Sequence, residues 1–200
     1  TFFSGFAENL AAFPDYLMNY YDQTGYVLGR GNYNNDRGGT NIDFPIAVGG
    51  VSYQPSKYFN ITFGQGKNFI GEGYRSVFLS DFALPYPYLR IETKLGSINY
   101  MNLWALHTDP RASVQTPGGL CRKKYTSIHY LSWNATDRLN IALFESMVWG
   151  GDSTQPNSGF YVNFLNPVIF FRPVEKLVGV TGGNAMLGLA ASYRIAEGMR

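Results

Sequence analysis

Between Gly66 and Pro87 the chain collects Lys67, Asn68, Glu72, Tyr74, Arg75, Asp81 and Tyr86, with glycines at 66, 71 and 73. Charged and amide groups set beside aromatic rings suit a sugar, which offers hydroxyls to the former and C–H faces to the latter. The glycines let the backbone double back tightly. A structural reading is equally open: an inward-folded loop held by Lys67 or Arg75 pairing with Glu72 or Asp81. The two are compatible, since a rigid loop makes a better binding platform. A second cluster lies in Asn166–Glu175, where Arg172 and Glu175 stand among apolar residues and Pro167 and Pro173 bar a central strand. Arg172 suits an anionic sugar through bidentate hydrogen bonding, or a structural pair with Glu175 or Asp81.

Catalytic chemistry is poorly supplied. His107 and His129 are the chain's only histidines, and neither has a nucleophile-elbow sequence or metal-ligand spacing beside it. Cys121 is the single cysteine, so neither an intramolecular disulfide nor a cysteine-based metal site can form. Val178–Gly183 misses the G-x-G-x-x-G spacing of a dinucleotide turn. Asn60–Thr62 and Asn134–Thr136 match the N-glycosylation pattern by chance. The expectation is no enzyme, no metal and no cofactor; a hydrolase using a Ser–His pair formed across strands is the least favoured alternative. A net charge of +2 argues against a nucleic-acid partner.

The elements that position these groups read as strands. Leu89, Ile91, Thr93 and Leu95 alternate with Arg90, Glu92 and Lys94. Leu187, Leu189, Ala191 and Tyr193 oppose Gly188, Ala190, Ser192 and Arg194. That period of two marks a sheet with one apolar face. Eight strands are expected near 2–9, 44–54, 59–65, 88–95, 98–107, 124–134, 139–148 and 185–195. Helical spacing is weak, with one candidate at Pro14–Tyr21. The links alternate: tight turns at Pro55–Lys57, Leu95–Ser97, Ala135–Arg138 and Ala196–Gly198, long loops at 10–43, 66–87, 108–123 and 149–184. In a meander this puts every tight turn at one end, as in outer-membrane barrels.

Composition points the same way. Only 15% of residues are charged, against about a quarter in soluble domains, while 16% are aromatic. Tyr53, Tyr58, Phe59, Tyr86, Tyr88 and Trp149 fall near strand ends, as interfacial girdles do. No run of about 18 apolar residues marks a membrane helix. The expected fold class is all-β: an antiparallel transmembrane β-barrel meander with about eight strands in this chain, forming one domain over 1–200 and part of a larger barrel incomplete at both ends. A soluble β-sandwich or lipocalin-like barrel is the alternative. In the barrel, Arg90, Glu92, Lys94 and Arg194 point into the lumen. Glu145 falls on the apolar phase of its strand, which requires either a bulge or a position above the membrane, because a charge facing lipid is costly.

Three stretches carry a family resemblance. Phe63–Glu92 reads FGQGKNFIGEGYRSVFLSDFALPYPYLRIE, Leu139–Gly150 reads LNIALFESMVWG, and Asn163–Glu175 reads NFLNPVIFFRPVE, followed by LGLAASYRI. In order and spacing they resemble the Wzi-type capsule-assembly family of outer-membrane barrels, and more closely its RemB-like relatives from gliding bacteria. The resemblance spans about 44–195 and departs at Asp81–Phe82, where Wzi-type proteins tend to carry Asn–Asn. It implies a large barrel in the outer membrane of a Gram-negative bacterium, acting in surface polysaccharide binding or capsule assembly, or as a structural part of a gliding or cell-surface complex. The implied partners are outer-membrane lipid, surface polysaccharide and other outer-membrane or lipoprotein subunits. The glycan or partner site is expected at Lys67, Asn68, Glu72, Arg75, Asp81, Tyr86, Arg172 and Glu175. A passive porin-like channel is the runner-up.

Overall fold

Residues that alternate apolar and polar at every second position can bury only one side of an extended chain, so neighbouring strands must pair to satisfy their backbones. The computed structural model, which describes residues 1–12, 15–24, 26–27, 31–32, 41–108, 123–150, 160–167 and 183–195, shows the result. Strand β1 (Phe2–Ala12) is followed by helix α1 (Asp15–Thr24) and a two-stranded ribbon of β2 (Tyr26–Val27) and β3 (Gly31–Asn32). Then come β4 (Asn41–Ser56), β5 (Phe59–Gly66), β6 (Tyr86–Leu95), β7 (Ile98–Thr108), β8 (Lys123–Asn134), β9 (Leu139–Gly150) and β10 (Asn184–Tyr193). One 3-10 turn lies at Val162–Leu165.

The main sheet is antiparallel throughout, in the order β1-β4-β5-β6-β7-β8-β9-β10. The seven strands β4 to β10 form an uninterrupted meander, and β1 adds to the edge of β4. Tight turns join β4–β5, β6–β7 and β8–β9; the links after β5, β7 and β9 are long. Gly96 in the β6–β7 turn has φ 59°, a left-handed conformation that glycine takes without a Cβ penalty. The expected asymmetry of the two sheet ends is therefore present.

The expectation of a barrel is met only in its coarser part, an all-β antiparallel meander. Among the described residues the sheet is open, because β1 pairs only with β4 and β10 only with β9. The helical candidate is present as α1, which carries Asp15 in its first turn, where the helix dipole favours a carboxylate. The β2–β3 ribbon was not expected, since two-residue strands are too short to show a period. No described helix is long and apolar enough to cross a membrane.

Register fixes the two faces. Thr62, Arg90, Leu103, Ile128 and Ser146 stand in one row across β5 to β9. Their face also carries Asn60, Tyr88, Glu92, Ala105 and Phe144. It is the covered face: Tyr86, Tyr88, Leu103, Ala105, Ile128 and Phe144 form its buried core together with Ile70 from the β5–β6 link. The opposite, open face carries Val51, Tyr53, Phe63, Leu95, Trp133, Leu143, Leu187, Leu189 and Tyr193, all exposed. Leu187 and Leu189 are 65% and 69% exposed, so this apolar field has no protein cover in the described residues.

Candidate functional site

The β5–β6 link folds back over the covered face. Its entry is fixed by Asn68, whose backbone N–H donates to the Tyr86 hydroxyl at 3.1 Å. The Asn68 Oδ1 accepts from Arg90 Nη1 at 3.1 Å. Arg90 lies 3.5 Å from Glu92, and Glu92 accepts from Asn60 Nδ2 at 3.1 Å. Asn60 in turn accepts from the Ser52 hydroxyl at 2.8 Å. This polar chain ties the loop to β4, β5 and β6 at once. A network with each member partnered rigidifies what it joins.

Deeper in, Ile70 and Leu79 exchange backbone hydrogen bonds of 2.9 and 3.3 Å, which brings the two arms of the loop together. The turn between them needs Gly71, which has φ 151° and packs where a Cβ would strike Ser76. Ser76 Oγ donates to the Ile70 carbonyl. Phe78 then crosses to the far strands. Its ring stacks on Phe144 at 4.6 Å with 7° between planes, over Gly188, where a Cβ would collide with that ring. The loop is thus a strut from β5 and β6 to β9 and β10, running along the face that holds the polar residues.

Beneath its inner arm, toward the tight-turn end, is a cavity of about 490 Å³. Tyr58, Phe59 and Phe69 supply ring surface at its margin, and Asn60, Glu92, Lys94, Asn99 and Ser132 supply hydrogen-bonding groups. Glu72 reaches this cavity and also borders a second one of about 140 Å³, where Arg138, Asn140 and Arg194 gather. Lys57 and Lys94 balance Glu72 and Glu92 in the lining of the larger cavity, so it has no strong net charge and suits a neutral or weakly charged polyhydroxyl ligand.

The expected site residues are therefore split. Asn68 and Tyr86 are buried and hold the loop in place. Glu72 borders both cavities, while Lys67, Arg75 and Asp81 are exposed on the loop and do not line either. Arg172 and Glu175 lie outside the described residues, as does Val178–Gly182. Of the four residues expected on the inner wall, Glu92 and Lys94 line the larger cavity, Arg194 borders the smaller, and Arg90 anchors the loop. Sequence reasoning missed Asn60, Asn99 and Ser132 because it sought ligands on loops. Their signal was parity: each shares a face with Glu92 or Lys94 once the strands are in register.

Glu145 does not owe its phase to a bulge. No bulge shifts it: the pairing of β9 with β8 and β10 is continuous through Glu145, opposite His129 and Leu187. It sits on the open face but is buried, 3.4 Å from His129 Nδ1. Asn102 stands next in the same row, opposite His129.

No protein-family model, curated protein or solved structure matches this chain.

Proposed function

We propose that this chain is a stretch of wall from a larger outer-membrane β-barrel, with the open face toward lipid and the covered face toward a plugged lumen, and that the protein is a membrane-anchored scaffold holding a surface glycan. The observation that carries this reading is the division of one sheet into two unlike faces. One is an uncovered apolar field from Val51 to Tyr193, and the other is polar, networked and filled by its own loop. So large an exposed apolar area is rare on a soluble monomer, whereas a bilayer requires it, along with backbone groups satisfied strand to strand. The two free strand edges fit the same reading, because further strands of a barrel would pair with them.

The glycan comes from the resemblance to capsule-assembly barrels and is supported by the chemistry of the larger cavity, where rings and amide or hydroxyl groups face one space. The loop lying along the covered face favours a plugged scaffold over a passive channel. The test is binding of the host cell's own purified surface polysaccharide to the full-length protein in detergent, followed by titration calorimetry. Saturable binding that weakens about tenfold on Asn99→Ala with Lys94→Ala, the loss of roughly one charged hydrogen bond's worth of free energy, is the expected result. Equal binding by the double variant would remove the cavity as the glycan site. No binding together with stepwise conductance in planar bilayers would favour the channel.

A further inference from the structure

The open face is interrupted at one place. In the middle of β7, β8 and β9 it carries a polar row, Asn102, His129 and Glu145, with Ser127 and Trp104 one row nearer the long loops. All five are buried, although nothing from the covered face can reach them. Segment 160–167 lies over part of this region, meeting Trp104 and Ser127 directly and reaching His129 through Asn166.

This segment is bound by its carbonyls. The Phe164 oxygen accepts from Trp104 Nε1 at 2.8 Å and from Ser127 Oγ at 2.8 Å. The Pro167 oxygen accepts from the Tyr100 hydroxyl at 2.5 Å. The backbone of Asn166 hydrogen-bonds to His129. Trp104, Ser127 and Tyr100 thus each aim a donor at a carbonyl of the segment, and the Phe164 ring fills the space beside Trp149, 4.6 Å between centroids. The 3-10 turn satisfies backbone N–H groups internally, with Phe164 N donating to Tyr161 O at 3.1 Å and Asn166 N to Asn163 O at 3.4 Å. Pro167 has no N–H to satisfy. On its outward side the segment shows Phe160 and Val162, 47% and 68% exposed, with the amides of Asn163 and Asn166 exposed beside them.

Irregular backbone at membrane depth is tolerated only where its polar groups are met by protein, and ionisable side chains there are expensive unless shielded and paired. The Phe164 and Pro167 carbonyls are met by protein donors, and His129 and Glu145 are buried side by side. Resting on the reading that the open face contacts lipid, we propose that residues 160–167 are a membrane-immersed strap. It turns Phe160 and Val162 to the acyl chains and lies between them and the Trp104, Ser127 and His129 side chains of the sheet. Trp104, Ser127 and Tyr100 form the docking platform for the strap, donors that meet the carbonyls a crossing backbone offers.

The test uses single-tryptophan variants of the full-length protein in vesicles of bromine-labelled phosphatidylcholine, whose bromines quench only tryptophans that touch acyl chains. One variant keeps Trp133, which is exposed on the open face; a second keeps Trp104, which lies under the strap; a third has no native tryptophan and carries Val162→Trp. The expected result is strong quenching of Trp133 and of the tryptophan at 162, severalfold weaker quenching of Trp104, and loss of that protection on Phe164→Ala. Quenching of Trp104 as strong as that of Trp133 would overturn the strap while leaving the lipid-facing wall intact. So would an unquenched tryptophan at 162. Absence of quenching at Trp133 would remove the membrane reading, and the strap with it.

Discussion

Leu143→Arg is expected to destabilise the protein in a bilayer by roughly 2–4 kcal/mol, the cost of an arginine on the lipid face near mid-membrane. Leu143 lies in the interior of β9 on the open face, 51% exposed, with Leu131 opposite on one side and Leu189 on the other. Among the described residues nothing packs over it tightly enough to make the substitution a steric problem. In water the same change at a half-exposed position falls within about ±0.5 kcal/mol. The environment alone therefore decides between a large effect and almost none. Equilibrium unfolding from lipid vesicles in guanidinium, with Leu143→Ala as the reference, reads the difference. A near-zero difference between the two variants would place this face in water.

One residue further, the sign of the argument reverses. Phe144 points to the covered face, is 2% exposed, and stacks on Phe78. Phe144→Ala is expected to cost about 3–5 kcal/mol, the usual range for emptying a buried aromatic site. The loss should be local as well as global, because Phe78 is the far end of the strut that crosses the covered face. With its partner gone, the β5–β6 loop should become open to trypsin at Lys67 and Arg75, both of which are already exposed. Limited proteolysis under conditions where the strands stay intact separates the two effects. A variant as stable as the native protein, with an uncut loop, would mean that Phe78 does not hold the loop down. Gly188→Ala attacks the same contact from beneath and should give the same cleavage pattern, since its Cβ would strike the Phe78 ring.

The strands were legible because their signal is dense. Alternation in Leu89–Leu95 and Leu187–Tyr193, bounded by short turn segments, leaves little choice of register, since a slip by one residue moves a whole strand's apolar set to the wrong face. The link lengths gave the asymmetric ends for the same reason. Glycines at 66, 71 and 73 showed that the β5–β6 link doubles back, and Gly71 does require its glycine. What held the loop was not legible: Asn68, Tyr86 and Arg90 are 18 to 22 residues apart where they bond, and only the sheet brings them together. Charge pairing within the loop was the natural guess from local sequence, but the contacts that fix its two ends come from an amide, a phenol and a stacked ring. Glu145 shows the limit most clearly. Its phase was read correctly, yet its partner is His129 on the neighbouring strand, which no local pattern encodes.

The open sheet edges, the exposed apolar face and the filled opposite face share one explanation if the full-length protein closes into a barrel in a bilayer. Gel migration of the full-length protein, extracted from purified outer membranes in detergent and run unheated or boiled, tests that most directly. A closed barrel should be recovered from that fraction and resist detergent until heated, giving two distinct bands. Recovery as a soluble protein, with one band whether or not it is boiled, would contradict the barrel and make a soluble β-sandwich, its apolar face met by a second sheet, the better description.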